Sequence, residues 1–440
     1  MITAKRVHLV GIKGVAMTAL AQCLLDLGCT ITGSDLPENF VTQKILDDLR
    51  FTIYDGFVSE QVTKDIDLVI YTGAHQGKQN VEVQQAIKLG IPVLSQAEAL
   101  GELTAEKRLI SVCGTGGKST TTAMIAVILE RAGLHPSYAV GVGNISDLGR
   151  TGRYVSDGEW FVAEADEYAV DPTVDHRPRF IFQHPEVIVC TNLQYDHPDI
   201  YPDFEVMKQT FLDFFNSLPT NGTLIINGVD SDLIGVAKKL RSDIHVISCD
   251  LPEPLHLLIP GEFNQRNSAY AIAAAKIAGV DEPSARKSLE NFHSTMRRFE
   301  NKGVEGTVEC FDDYAHTPDE IRATLTALRA WRPGKKIVAA FQPHTYSRTK
   351  ALFTGFVSAL QVADEVVLLD IFASAREKPD ASVSSQMLVD AIGSKAKLIS
   401  TVDELAHYLQ SIIQSQNTVF ITMGAGDIYK VYEKLPVIPA

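Results

Sequence analysis

The sequence predicts an α/β protein of three blocks, each a mostly parallel sheet with flanking helices. At 440 residues the chain has room for three units of about 150. Short β-branched runs alternate with helix-length segments almost from end to end, the pattern of parallel sheets covered on both faces. The pattern also restarts twice. A polar stretch at Thr104–Arg108 precedes a fresh strand, and a helical segment ends at Ser294–Arg298. The expected blocks are therefore residues 1–107, 108–295 and 296–440.

In order along the chain, Arg6–Val10 reads as a strand, Val15–Leu27 as a helix and Thr30–Thr32 as the next strand. Leu109–Cys113, Phe161–Glu164, Val187–Thr191, Thr223–Ile226 and His245–Ser248 are the strands expected of the second block. Ile337–Phe341, Glu365–Asp370 and Val419–Thr422 are those of the third. Trp160, Trp331 and the Phe211–Phe215 run are expected in cores.

Composition excludes several classes. The net charge is −14, from 54 acidic and 40 basic residues, which repels nucleic acid and anionic membranes. Local phosphate binding by backbone N–H groups and a few basic side chains stays open. The six cysteines are scattered with no C-x-x-C pair, against a disulfide framework or structural zinc and in keeping with a reducing cytosol. No stretch approaches a membrane span, so a cytoplasmic protein is expected. Oligomeric state is not legible.

The strongest local motif is Cys113-Gly-Thr-Gly-Gly-Lys-Ser-Thr-Thr-Thr122, directly after a strand and opening a helix. Glycines there let backbone N–H groups close on phosphates, a lysine reaches the β/γ-phosphates and a hydroxyl ligates Mg²⁺. The general pattern asks for glycine at Val112, which is absent. Gly114, Thr115, Gly116, Gly117, Lys118, Ser119 and Thr120 are the candidate nucleotide loop. Glu164 ends an apolar strand and His197 follows another; both would face the loop if the three strands share one parallel sheet. A glycine turn at Gly11–Met17, with Gly33-Ser-Asp35 after the next strand, has the form of a dinucleotide loop. An ordinary αβ turn accounts for it equally well. In the last block, Arg297–Glu300, Asp312–Glu320, Phe341–Arg348 and Gly424–Asp427 each sit where a strand should end. Helix capping explains any one of them; together they bring His, Arg and Tyr to one edge.

With these motifs laid out, the chain resembles the Mur ligase family over essentially its whole length. Gly11–Met17, Gly33–Asp35, Gly114–Thr120, Glu164–Glu167, Thr191–His197, Asn264–Asn267, Arg297–Phe299, Asp312–His316, Phe341–His344, Ala375–Glu377 and Gly424–Asp427 match its motifs in order. The resemblance implies a Rossmann-like first domain binding UDP, a P-loop ATPase second and a Rossmann-like third contributing to ATP and amino-acid binding. The implied activity is that of the alanine-adding branch. An ATP-dependent ligase would join L-alanine to the lactyl carboxylate of UDP-N-acetylmuramate through an acyl phosphate, in peptidoglycan precursor synthesis.

By resemblance, Lys118 neutralises the transferring phosphoryl, while Ser119, Thr120 and Glu164 hold one Mg²⁺ and His197 a second. Asn264 contacts adenine; Arg298, Asp313 and His316 complete the ATP side. Gly11, Lys13, Gly14, Ser34, Asp35, Thr72 and Gly73 form the UDP-substrate site, in place of an NAD site. His344, Tyr346, Arg348 and Arg376 grip the amino acid.

The chain departs from the family at a few positions. Gly116 stands where the alanine-adding branch usually has His, Lys13 replaces a loop glycine, and Thr317 stands where a second His is common. Tyr168 looks more like the branch that recycles a whole tripeptide; the lysine that other members carbamylate has no counterpart at the expected distance after His197, as in alanine-adding members. The tripeptide ligase, and a nucleotide-binding relative without ligase activity, are the alternatives.

Overall fold

The computed structural model describes residues 2–197, 199–250, 254–373 and 379–435. Arg376 and the Ala375–Glu377 motif lie outside them. Three main sheets carry the chain. The first comprises β1 (Arg6–Val10), β2 (Thr30–Asp35), β3 (Thr52–Asp55), β4 (Leu68–Tyr71) and β5 (Val93–Ser95), all parallel, in the order β3-β2-β1-β4-β5.

The second sheet holds β6 (Arg108–Cys113), β7 (Ser137–Ala139), β8 (Gly152–Arg153) and β9 (Trp160–Glu164). After the two-stranded hairpin β10 (Ala169–Asp171) and β11 (Asp175–Pro178), it resumes with β12 (Val187–Cys190), β13 (Thr223–Asn227) and β14 (His245–Cys249). Its order is β14-β13-β12-β6-β9-β7-β8, and only β8 runs antiparallel. The strand preceding the glycine loop, β6, thus lies between those ending at Glu164 and Cys190.

The third sheet is β15 (Glu300–Glu305), β16 (Val308–Asp313), β17 (Lys336–Phe341), β18 (Glu365–Leu368), β19 (Ala396–Leu398) and β20 (Thr418–Met423), ordered β15-β16-β20-β17-β18-β19. It is parallel apart from β15. The expected strands are present to within two residues, except that β2 runs three residues past Thr32, and the sheets add others, from the two-residue β8 to the six-residue β15 and β16.

By contact the chain forms two compact units, residues 1–258 with 264–295, and residues 259–263 with 296–440. The first two sheets share the larger unit because one apolar core runs through both: Leu9, Leu20 and Leu24 pack in one cluster with Leu109, Phe161 and Ala163. A buried Gln22 seals the join, its Oε1 accepting N–H bonds from Thr151 (2.9 Å) and Gly152 (2.7 Å). Trp160, Phe211 and Phe215 are buried, and Trp331 packs half-buried against the core of the smaller unit.

Candidate functional site

The helix Lys118–Arg131 starts directly after the glycine loop, and its N-terminus opens at the carboxyl ends of β6, β9 and β12. Local chemistry forces the loop's shape. Gly114 has φ +123°, and a Cβ there would lie 2.8 Å from the carbonyl of Asn192. The loop is then pinned from β12: Thr191 Oγ1 donates to the Gly116 carbonyl (2.6 Å), and the Asn192 amide both donates to that carbonyl and accepts the Gly116 N–H (2.9 Å). Thr115 Oγ1 donates to the Gln194 carbonyl (3.0 Å).

Lys118 points into a group of carboxylates. Its ammonium donates to both oxygens of buried Glu167 (2.9 and 3.0 Å) and to the Gly114 carbonyl (2.8 Å). Burial would lower the lysine pKa, but Glu167, Asp166 and Glu164 outweigh it and hold the ammonium above its ordinary value. One residue on, Ser119 Oγ donates to Glu164 Oε1 (3.1 Å), while Glu164 Oε2 accepts the Gly141 N–H (2.9 Å). Thr120 is buried beside Ser119. His197, in the left-handed region at φ +55°, places Nε2 3.4 Å from Glu167 Oε1 and its ring centroid 4.8 Å from that of Tyr168. Burial would lower the His197 pKa; the Glu167 bond and the Asp196 and Asp166 charges reverse that and raise it. Asn264 is buried and accepts from Asn267 Nδ2 (3.3 Å), and it is Asn267 whose Oδ1 abuts Gly117.

Ser119 Oγ and Glu164 Oε1 are spaced like neighbouring oxygens in an octahedral Mg²⁺ shell of about 2.1 Å radius. Among the described residues no three His, Cys, Asp or Glu groups converge on one point. One hydroxyl, one carboxylate and phosphate oxygens are a magnesium donor set rather than a zinc one.

The first glycine turn lies at the matching edge of the first sheet. The N–H groups of Gly11 and Ile12 donate to the Ser34 carbonyl (2.9 and 3.2 Å). Ser34 and Asp35 are buried: Ser34 Oγ donates to Glu82, and Asp35 Oδ2 accepts the Lys13 N–H (2.7 Å). Lys13 turns its ammonium onto the carbonyls of Leu36 (2.6 Å) and Glu38 (3.0 Å), so its charge secures the segment after β2. Gly14 is exposed and caps the helix Val15–Asp26 without a side-chain bond, which leaves that helix's first N–H groups without intrahelical acceptors. Thr72 and Gly73 follow β4 at the same edge, beside His75, whose Nε2 is 3.5 Å from Asp35.

In the smaller unit Asp313, Met423 and Phe341 are in register, so the loops after β16, β20 and β17 open together. Asp313 is buried and accepts N–H bonds from Phe299 (2.7 Å) and Ala315 (2.8 Å). Arg297 is buried at φ +61° and donates to Asp312 (3.1 Å) and to the carbonyls of Gly424 and Gly426. It therefore builds the edge, and the adjacent Arg298 packs over the Tyr314 ring at 5.1 Å. Burial lowers the His316 pKa, Glu320 opposes, and the Arg348 and Arg298 charges reinforce burial; these groups share one neighbourhood. His344 stacks on Phe372 (5.7 Å between centroids), and Tyr346 and Arg348 lie on the helix Tyr346–Ala351 that follows.

Glu167, Thr191, Asn192, Asn267 and Arg297 are the site-building residues to which the sequence reading gives no role. All but Asn192 are buried, and all five lie inside motifs quoted for the resemblance.

Comparison with known proteins decides the family. The chain matches the Mur ligase family catalytic domain over residues 6–108, the Mur ligase middle domain over 112–253 and the Mur ligase glutamate ligase domain over 297–426. It is 35% identical to the UDP-N-acetylmuramate–L-alanine ligase of Desulfitobacterium hafniense, over 98% of this chain and 99% of that one. The chain belongs to the Mur ligase family. The enzyme of the same name from Caldanaerobacter subterraneus subsp. tengcongensis is 36% identical, over 98% of this Mur ligase and 97% of the relative. Among solved structures, a UDP-N-acetylmuramate-alanine ligase from Thermotoga maritima superposes with TM-score 0.80 at 27% identity, covering 98% and 97% of the two chains. A murein peptide ligase from Psychrobacter arcticus shares the fold, with TM-score 0.69 at 22% identity over 99% and 100%.

Proposed function

We propose that this Mur ligase joins L-alanine to the lactyl carboxylate of UDP-N-acetylmuramate at the expense of ATP, in the cytoplasm, as a step of peptidoglycan precursor synthesis. Residues 1–107 take the sugar nucleotide, 108–295 ATP, and 296–440 contribute to ATP and amino-acid binding. The observation that carries the reading is the convergence of Lys118, Ser119 and Glu164 at the mouth of the glycine loop. Near-full-length likeness to alanine ligases supports the choice of amino acid.

In the first step a lactyl carboxylate oxygen attacks the γ-phosphorus. The bond from that phosphorus to the bridging oxygen breaks, and ADP leaves. In the second, the neutral alanine amine attacks the acyl carbon and the carbon–oxygen bond to phosphate breaks. Inorganic phosphate departs and the nitrogen sheds a proton to water. Bringing anions together makes positioning and charge neutralisation the main demands.

Lys118 offsets the charge on the transferring group, with Glu167 aiming its ammonium. Ser119, Thr120 and Glu164 would hold one Mg²⁺ and His197 a second; bound there, the ions would supply positive charge to offset that of the phosphates. Asn264, Arg298, Asp313 and His316 are assigned to ATP. Gly11, Lys13, Gly14, Ser34, Asp35, Thr72 and Gly73 are assigned to the sugar nucleotide, with Ser34 and Asp35 shaping its loop from beneath. His344, Tyr346 and Arg348 are assigned to the amino acid.

The test is phosphate release from Mg-ATP, assayed with UDP-N-acetylmuramate and L-alanine, glycine, L-serine or the recycling tripeptide. Release should require both the sugar nucleotide and alanine, and fall roughly a hundredfold to a thousandfold in Lys118→Ala. Release with the tripeptide alone would favour the recycling reaction. Tyr168, whose hydroxyl donates to Asp199 (2.8 Å) beside His197, is the residue that motivates that second reading.

A further inference from the structure

The hairpin β10–β11 leaves the phosphate site and ends against the loop that follows β4. Its base is tied to the nucleotide side. Glu164 and Glu167 bind Ser119 and Lys118, and Arg179 closes the base with bonds to Asp166 (2.7 Å) and the Ala169 carbonyl (3.1 Å). Seven residues beyond Glu164, the wholly buried Asp171 accepts the Lys78 N–H through Oδ2 (2.7 Å). Its Oδ1 accepts the N–H and hydroxyl of Thr173 (2.9 and 2.6 Å).

The loop it meets follows Thr72 and Gly73 and carries three successive residues at positive φ: His75 (+52°), Gln76 (+71°) and Gly77 (+51°). A Cβ on Gly77 would lie 2.5 Å from the Asp171 carboxyl carbon, and one on Gly73 would lie 2.7 Å from the Val170 carbonyl. Consecutive left-handed residues cost free energy and persist only where surrounding structure holds them. Here the hairpin does so.

We propose that this hairpin is a fixed spacer between the sugar-nucleotide loop and the phosphate loop, with Asp171 as the positioning residue that sets their separation. The inference rests on the ligase reading above. Attack of a carboxylate on a γ-phosphoryl needs the two held within a near-attack distance, and a displacement of about 1 Å can cost a hundredfold in rate. Asp171 touches neither substrate. It acts through Lys78 and Gly77 on the loop that begins at Thr72.

The test perturbs one contact from both sides, with Asp171→Asn and Gly77→Ala. The asparagine keeps the shape but faces an NH₂ toward one of two backbone N–H groups. The alanine inserts a methyl at a left-handed position. Calorimetric titration gives the Kd for UDP-N-acetylmuramate and, separately, for a non-hydrolysable Mg-ATP analogue; phosphate release gives kcat at saturation. The expected result is a fall in kcat of about a hundredfold with both Kd values essentially unchanged. The double variant should lose no more than the worse single one, because both changes break the same contact. If Gly77→Ala fails to fold, Thr173→Ala replaces it, freeing Asp171 to rotate. A weakened Kd for the sugar nucleotide with kcat retained would overturn the proposal, as would no change in either. Wild-type protein that binds ATP analogue but not UDP-N-acetylmuramate would remove the ligase reading and the spacer with it.

Discussion

Asp313 shows what a single buried carboxyl does to the pH response of the smaller unit. Burial pushes its pKa up to about 6, while the Arg298 charge and the N–H groups of Ala315 and Phe299 pull the other way. The folded value lies above the unfolded one, so the neutral acid is the form that favours folding. Its contribution is complete below an unfolded pKa of about 4 and is lost as pH rises through the folded value. Asp313→Asn cannot ionise. Denaturant midpoints of the wild type should therefore fall more than those of the variant between pH 4 and pH 7, both pH values being approximate limits of that window. Parallel pH profiles would show that Asp313 does not carry the dependence. Glu167 is a different kind of case, a buried side chain paired with Lys118 at 2.9 Å. In sequence it is one acid among several in Glu-Ala-Asp-Glu, with nothing to single it out. Its partner is 49 residues away, reached by β9 running beside β6.

Among the elements, the strand–loop–helix unit from β6 through Lys118–Arg131 is written almost entirely in local chemistry. Gly114 is required for its positive φ and for the close approach of Asn192. Gly114→Ala should cost the loop about 1–3 kcal/mol in backbone strain. The checkable outcome is weaker binding of a Mg-ATP analogue by calorimetry, with far-ultraviolet circular dichroism unchanged. Affinity equal to wild type would mean that the loop adapts. The strands β3, β5, β7 and β8 were less legible. They are two to four residues long, and their pairing partners are supplied by the sheet rather than by their own composition. The hairpin β10–β11 was also unannounced, because Asp171 owes its place to Lys78, 93 residues earlier.

For the molecule as a whole, the two compact units each have their own apolar core, so unfolding should not be a single two-state event. Scanning calorimetry of the full chain is expected to resolve two transitions. A Mg-ATP analogue at a hundred times its Kd should stabilise the unit carrying the phosphate loop by about 2.7 kcal/mol. Three transitions would mean that residues 1–107 unfold apart from 108–295, despite the core they share. Among the described residues no helix is long and apolar enough to cross a membrane.

Fold class, the three sheets and the phosphate loop were readable from the chain because each depends on local order: β-branched runs, helix-length segments and glycines followed by Lys-Ser. The ordered motifs of a Mur ligase were likewise present as plain strings. The pairings inside the site were not readable. Lys118 with Glu167, Ser119 with Glu164 and Arg297 with Asp312 arise from which strands become neighbours and how deeply their ends are buried. The same holds for the joining of the first two sheets through Gln22, and for the seat of Asp171 on Gly77. These contacts connect residues far apart in sequence. Their cost is chain entropy and desolvation, and the complete packed fold offsets both.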